Sequence, residues 1–305
     1  MKIARPVLFG MSLFFAGGCF AAAQDAMSSP PKVIEITREY LKPGRAGMAH
    51  DRAEAAYLTA FNHAKLQGHY VALNSMSGKS RAIYITRYDS FEAWEKDTKA
   101  MEKTPAITAE IDRATMADGE LLESTDTGVF GYNEELSYHP RPDISHSRYY
   151  EITVFHVRPG HRKDWYEVTK MYKDACDKAQ NGAHWGMYEV MYGADGGTYI
   201  ALTHHDTLNE IDTMMGGEKK FMEAMGGEEG MNKLDDLFGQ AVDYSRSELF
   251  SINPRQSYAD EAWVKADPDF WKPKPMKMAP ESAATKPTTP KPAAQPAAGS
   301  KPGGR

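Results

Sequence analysis

The sequence predicts an α+β chain in which one βαββαβ, ferredoxin-like unit occurs twice, and three observations carry the prediction. Glu35-Ile36-Thr37 followed by Lys42-Pro43-Gly44 recurs at the same spacing as Glu151-Ile152-Thr153 followed by Arg158-Pro159-Gly160. The stretches after each copy pass through the same hydrophobic periods, alternating, then helical, then alternating again. About 245 residues lie between two compositionally distinct ends, enough for two ordinary domains.

Residues 1–23 join a basic start (Lys2, Arg5), an apolar run from Val7 to Phe20 and a small-residue exit at Ala21-Ala22-Ala23, the pattern of a secretory signal peptide. Cleavage before Gln24 would leave a linker over residues 24–31 and an exported protein, periplasmic or secreted. Cys19 after Ala16-Gly17-Gly18 offers a lipid anchor as the alternative, although Ala16 stands where lipoprotein signals carry a bulky aliphatic residue. The apolar run is shorter than the roughly 20 residues that span a bilayer, so no transmembrane segment is expected. Residues 272–305 are mostly Pro, Ala, Lys, Thr and Gly, with little to bury, which predicts a disordered tail. This tail carries about +6 and the body about −14, within a whole-chain charge of −6. The acidic body argues against nucleic acid as a partner, while the basic tail can contact anionic envelope components or act as a solvated spacer. After signal removal only Cys176 remains, so no intramolecular disulfide can form and packing must hold the fold.

The first repeat takes residues 32–141, the second 148–255, and a C-terminal arm 256–271. Each opens with an alternating strand, Val33 to Leu41 and Tyr150 to Val157, that runs into Pro-Gly. An amphipathic helix follows. Its stripe is Ala49, Ala53, Ala56, Tyr57, Ala60 and Ala64 in the first repeat, and Trp165, Val168, Thr169, Tyr172, Ala175, Cys176 and Ala179 in the second. A hairpin comes next, Tyr70 to Met76 with Ala82 to Tyr88, matched by His184 to Tyr192 with Thr198 to Thr203 around Asp195-Gly196-Gly197. Helices are then expected over Ser90 to Lys103 and Ala106 to Leu122, and over Leu208 to Met215 and Lys219 to Phe238. A last strand ends at Glu135-Leu136, echoed by Glu248-Leu249.

One four-stranded unit with helices on one face leaves its other face bare, and two units in one chain can cover each other. The residues here resemble the dimeric α/β-barrel superfamily, and within it the NIPSNAP-like proteins, whose members commonly open with a Tyr-Glu-Leu-Arg-like strand and a basic-Pro-Gly turn. Tyr150-Glu151-Ile152-Thr153 with Arg158-Pro159-Gly160 resembles that pattern, and Ile34-Glu35-Ile36-Thr37 with Lys42-Pro43-Gly44 is a second version. Thr37 and Thr153 depart from the arginine often found at the fourth position. The resemblance spans residues 33–254 and implies an intrachain dimeric α/β barrel, an intrachain pseudo-dimer with scope for further self-association. Relatives in the wider superfamily include cofactor-free and haem-dependent oxygenases, isomerases and proteins of unknown role.

Strand alternation assigns Ile34, Ile36, Ile152, Val154, Ile83, Ile85, Ile200 and Leu202 to the face beneath the helices. Glu35, Thr37, Glu39, Glu151, Thr153, Phe155, Tyr84, Thr86, Tyr88, Tyr199, Thr203 and His205 then fall on the opposite face, predicting a polar, tyrosine-rich barrel interior. Glu35 and Glu151 can simply accept hydrogen bonds there and set the register of the sheets. Alternatively Glu35, Tyr84, Tyr88, Glu151, Phe155, Tyr199 and His205 line a ligand cavity in which desolvation raises a carboxylate pKa.

His69 and His184 begin the second strands of the two repeats, as duplication leaves them or as a pair facing a ligand. His204, His205 and Asp206 resemble a metal cluster, but neighbours on a strand point to opposite faces. Met214, Met215, Met222, Met225 and Met231, broken by two Gly-Gly pairs, suggest thioether ligands for copper(I) or flexible helix core. Cys176 on its apolar stripe reads as a buried small hydrophobe. No phosphate loop, CxxC pair, HExxH or serine elbow is present. The residues themselves predict no cofactor; the resemblance allows haem. Small-molecule binding is therefore favoured, with an oxygenase or isomerase using a pocket between sheet and helices as one alternative. His50 and His63 are the helical histidines that could face such a pocket, and each otherwise reads as a solvated helix residue. The other alternative is a non-catalytic envelope scaffold.

Overall fold

Eight antiparallel strands close into one barrel in the computed structural model, which describes residues 29–273. The signal-peptide reading over 1–23, the lipid anchor at Cys19 and the tail from residue 274 onward lie outside the described residues. The first repeat comprises β1 (Val33–Leu41), α1 (Met48–Ala64), β2 (Tyr70–Ser75), β3 (Arg81–Tyr88), α2 (Phe91–Glu102), α3 (Pro105–Gly119) and β4 (Leu122–Tyr132). The second comprises β5 (Tyr149–Val157), α4 (Arg162–Ala179), β6 (Gly186–Tyr192), β7 (Thr198–His205), α5 (Asn209–Gly216), α6 (Glu218–Met225), α7 (Gly227–Ala241) and β8 (Val242–Ile252). Two short helices, α8 (Glu261–Ala266) and α9 (Pro268–Trp271), follow in the arm.

Around the barrel the order is β1-β3-β2-β8-β5-β7-β6-β4, with β4 pairing back to β1. Each repeat contributes one ferredoxin-like sheet, and the joins are β2 with β8 and β4 with β6. The two-repeat α+β prediction therefore holds, as two sheets fused edge to edge. No helix among the described residues is long and apolar enough to cross a membrane.

The face assignment is inverted. Ile34, Ile36, Ile83, Ile85, Ile152 and Ile200 join Val71, Leu73, Phe130, Tyr150, Tyr188, Phe250 and Ile252 in one core drawn from all eight strands, the barrel interior, with Val154 and Leu202 packed against it. Glu35, Tyr84, Tyr88, Glu151, Phe155, Tyr199 and His205 lie outside it, on the face that the helices cover. Closure is the reason. A closed barrel buries its inside on every side, so the alternate set dominated by Ile, Leu, Phe and Tyr goes in, and the charged Arg81 there is paired with Glu248. Helices can match a mixed face because they bring polar as well as apolar side chains to it. The arm closes one end of this core by burying Trp263 and Trp271, with Trp271 Nε1 donating to the Ser145 carbonyl at 2.8 Å.

Two boundaries also differ. The helix expected over Lys219 to Phe238 is broken between α6 and α7, where Gly226 and Gly227 take φ of 107° and 72°, open to glycine and strained for other residues. Glu135-Leu136 lies beyond the end of β4, whereas Glu248-Leu249 lies within β8, so those pairs are not equivalent. The true echo is Asn133-Glu-Glu-Leu-Ser-Tyr138 with Asn253-Pro-Arg-Gln-Ser-Tyr258. In each, the serine hydroxyl donates to the asparagine carbonyl and accepts a strand N–H from the other repeat. Ser137 Oγ takes Met187 N–H at 2.9 Å, and Ser257 Oγ takes Ala72 N–H at 2.9 Å. Tyr138 bridges to Trp185 and Tyr258 to Tyr70 in the same crossed sense.

Candidate ligand-binding site

Outward-facing residues of β5, β7 and β8 form the floor of a cavity in the second repeat. Register sets Glu151 beside Thr203, Thr153 beside Ala201 and Phe155 beside Tyr199, with Ser245 and Ser247 on the neighbouring strand. The amphipathic stripe of α4 supplies one wall through Trp165, Val168, Thr169 and Tyr172, as its spacing predicts. Leu234 and Phe238 of α7 make the facing wall, and Met214, Phe221 and Met231 contribute from the broken helix α5–α6–α7. The cavity is a cleft open to solvent with a volume of about 540 Å³. That is within the range of small-molecule sites, roughly 300–1,000 Å³.

The lining is aromatic and thioether-rich, with its polar groups gathered on the floor. Thr153 and Ser247 hydroxyls bond each other at 2.7 Å, and Thr203 Oγ1 donates to the His184 carbonyl at 3.1 Å. Glu151 is half-buried beside them, and desolvation holds its carboxyl above the usual range although the Thr153 hydroxyl opposes this. A carboxylate so placed binds a donor more strongly than one in water.

The candidates separate into three groups. Glu151 and Phe155 line the cavity. Tyr199 and His205 lie close by but behind its wall. Tyr199 donates to Glu189 at 3.1 Å and packs on Trp165, whereas His205 is fully buried against His184, with burial pushing its pKa down. Glu35, Tyr84 and Tyr88 belong to the first repeat. Desolvation also raises Glu35; Tyr88 stacks on Trp94, and Tyr84 packs edge-on to Tyr70.

His204 points inward opposite Tyr150 while His205 points outward, so the pair does not share a ligand. The methionines do not converge: Met214 and Met231 line the cavity, and Met215 and Met222 are exposed. Cys176 is buried, and burial pushes its thiol up to about 11, which leaves it inert. His63 is exposed and paired with Glu110 at 2.8 Å. His50, expected in solvent, is instead 1% exposed against the first sheet. Sequence reading missed Trp185, Met187 and Ala201 as cavity residues. The signal was available in the outward alternate set of β6 and β7, once that face is known to meet the helices.

Haem does not fit these residues. Both ring nitrogens of the lining histidine, His184, are directed at backbone carbonyls, Nε2 at His204 at 2.9 Å and Nδ1 at Gly182 at 3.3 Å, so neither is aimed into the cavity at an iron. Desolvation keeps the proton on the Tyr172 phenol.

No family model and no curated protein matches this sequence. Among solved structures, the chain is similar to a monooxygenase candidate from Fusobacterium nucleatum, at 9% identity and TM-score 0.47 over 73% of this chain and 93% of that one. It is similar to an anthrone oxidase-like protein at 12% identity and TM-score 0.44, covering 73% and 92%. A mutant chlorite dismutase from Candidatus Nitrospira defluvii aligns at 10% identity and TM-score 0.45, covering 80% and 98%. These likenesses concern the fold alone.

Proposed function

We propose that this chain is an exported, NIPSNAP-like α/β-barrel protein that binds a flat, largely apolar small molecule carrying a hydroxyl, in the cavity of the second repeat. The observation that carries this reading is the division of the cavity into aromatic walls and a polar floor around Glu151. Walls of Phe155, Trp165, Trp185 and Phe238 suit a ring system, and the Glu151 carboxylate suits its hydroxyl donor. A second reading, a cofactor-free oxygenase or isomerase, draws on the same residue. A carboxylate whose pKa is raised by desolvation is a stronger base toward a phenolic or enolisable proton.

The test is a fluorescence titration of the full chain with 1-naphthol. Saturable binding is expected, weakened about tenfold or more in Glu151→Ala, as for loss of a charge-assisted hydrogen bond. Ala201→Tyr, which fills the cavity floor, should abolish it. Absence of saturable binding by 1-naphthol and by indole, or binding indifferent to Ala201→Tyr, overturns the reading. Oxygen uptake in the presence of the bound phenol separates catalysis from binding.

A further inference from the structure

Glu39 on β1, His50 and Glu54 on α1, and Asp118 on α3 bring three carboxylates and one imidazole together between the first sheet and its helices. His50 Nε2 lies 3.0 Å from Glu39 Oε2, 3.3 Å from Asp118 Oδ1 and 3.9 Å from Glu54 Oε1. One donor atom from each of the four residues lies within 4.8 Å of all the others. A tetrahedral ion that holds oxygen and nitrogen ligands at about 2.0–2.2 Å sets them about 3.4 Å apart, so the widest pairs of this set must close by about an ångström on binding, a movement within reach of side-chain rotation.

The second observation is a pair of orphaned oxygens. Glu54 and Asp118 are 3% and 2% exposed, yet Glu54 Oε1 and Asp118 Oδ1, both turned toward His50 Nε2, have no hydrogen-bond partner. The Tyr84 hydroxyl adjoins Glu39 and Glu54 without an aligned hydrogen bond to either. Concentrated like charge with unmet oxygens is what a buried cation relieves.

We propose that Glu39, His50, Glu54 and Asp118 form a structural site for a divalent transition ion, an O₃N donor set suited to Mn(II), Fe(II) or Zn(II). The imidazole argues for these ions over Ca²⁺ or Mg²⁺, which prefer all-oxygen shells. Four protein ligands in a buried place describe a closed site that ties β1 to α1 and α3. Gln256, from the segment after β8, supplies the outer contact: its Nε2 is 3.1 Å from His50 Nδ1 and 3.0 Å from Asp51 Oδ1. An ion at Nε2 requires the ring proton on Nδ1, the nitrogen that the Gln256 side-chain amide adjoins.

The experiment uses the full chain, stripped with EDTA and titrated with Mn(II) chloride and Zn(II) chloride by calorimetry. The expected result is one ion per chain and a Tm rise of about 5 °C or more at hundredfold excess over Kd. Glu54→Gln combined with Asp118→Asn keeps side-chain volume, removes charge, and should weaken binding by about 100-fold or more. Circular dichroism and 1-naphthol uptake check that this variant is folded, and Glu39→Gln gives the same comparison should it not be. Ala201→Tyr should leave ion uptake unchanged. Failure to take up either ion at one per chain, or uptake that survives the carboxylate substitutions, overturns the proposal.

Discussion

On the helix-covered face of the first repeat, the strand row across Thr37 reads Thr37, Tyr84, Ala72; in the second, the matching row reads Thr153, Ala201, Met187. The hydroxyl pair beside each row is kept, Thr37 with Thr127 at 3.2 Å and Thr153 with Ser247 at 2.7 Å. Tyr84 fills the space over its row, whereas Ala201 leaves that space open as cavity floor. One step along, Glu39 brings a carboxylate to the buried cluster where Phe155 brings an aromatic wall. Inside the barrel Ile36 and Ile152, and Ile83 and Ile200, are kept at matching positions, while the outer faces have diverged because each needs to match only its own helices.

The largest effect should come from making the first repeat resemble the second. Tyr84→Ala should cost about 3–5 kcal/mol in denaturant unfolding, the range for truncating a buried aromatic. Ala201→Tyr should cost less, because its ring enters existing space. Equal costs would break the comparison.

Acid should act on the repeats unequally. At matching inward positions stand His204 and Arg87. Burial holds the His204 pKa down to about 4, against an ordinary 6.5, despite the Arg141 carbonyl that accepts from its ring at 2.6 Å. The folded chain therefore binds fewer protons than the unfolded one between these values. Stability present above about pH 6.5 should fall as pH drops toward 4, by on the order of 3 kcal/mol. His204→Gln should flatten that loss in melting curves taken across the window.

The crossed serines offer a smaller, symmetrical test. Ser137→Ala and Ser257→Ala each leave a strand N–H without its acceptor, and each should cost about 1–2 kcal/mol. A large difference between them would mean that the two joins of the barrel are unequal. Smallest of all, Glu151→Gln should be relatively more stable than the parent at pH 7 and lose that advantage near pH 4. The raised Glu151 pKa makes ionisation in the fold unfavourable, so the parent loses stability as pH rises above 4.5.

Much of the architecture was legible because strands and helices announce themselves by period. Ile34 to Thr37 alternates within a strand that runs from Val33 to Leu41, and the α4 stripe buries Trp165, Val168, Thr169, Ala175, Cys176 and Ala179. The face assignment failed because alternation distinguishes two sets of residues without saying which set goes inward. That depends on closure, a property of eight strands together. Glu151 and Phe155 were found as candidates for this reason only in part: their shared face was correct and its surroundings were reversed. The buried cluster was invisible for another reason. Glu39, His50, Glu54, Asp118 and Gln256 come from four separate segments, and no spacing rule connects residue 39 to residue 118 or 256. His50 was singled out as a helical histidine that could face a pocket between sheet and helices, but nothing in the sequence joined it to Glu39, Glu54 or Asp118.

The crossed Asn-x-x-x-Ser-Tyr segments bear on how this chain holds together when diluted. Each half receives a strand contact, a tyrosine bridge and, in one case, an amide reaching His50 from the other half. Cut into two polypeptides between Pro142 and Arg148, such halves would meet by bimolecular encounter, and their pairing would depend on concentration. The short connection from β4 to β5 converts that encounter into an intramolecular one at an effective concentration in the millimolar range. A chain joined in this way keeps its barrel closed however far it is diluted.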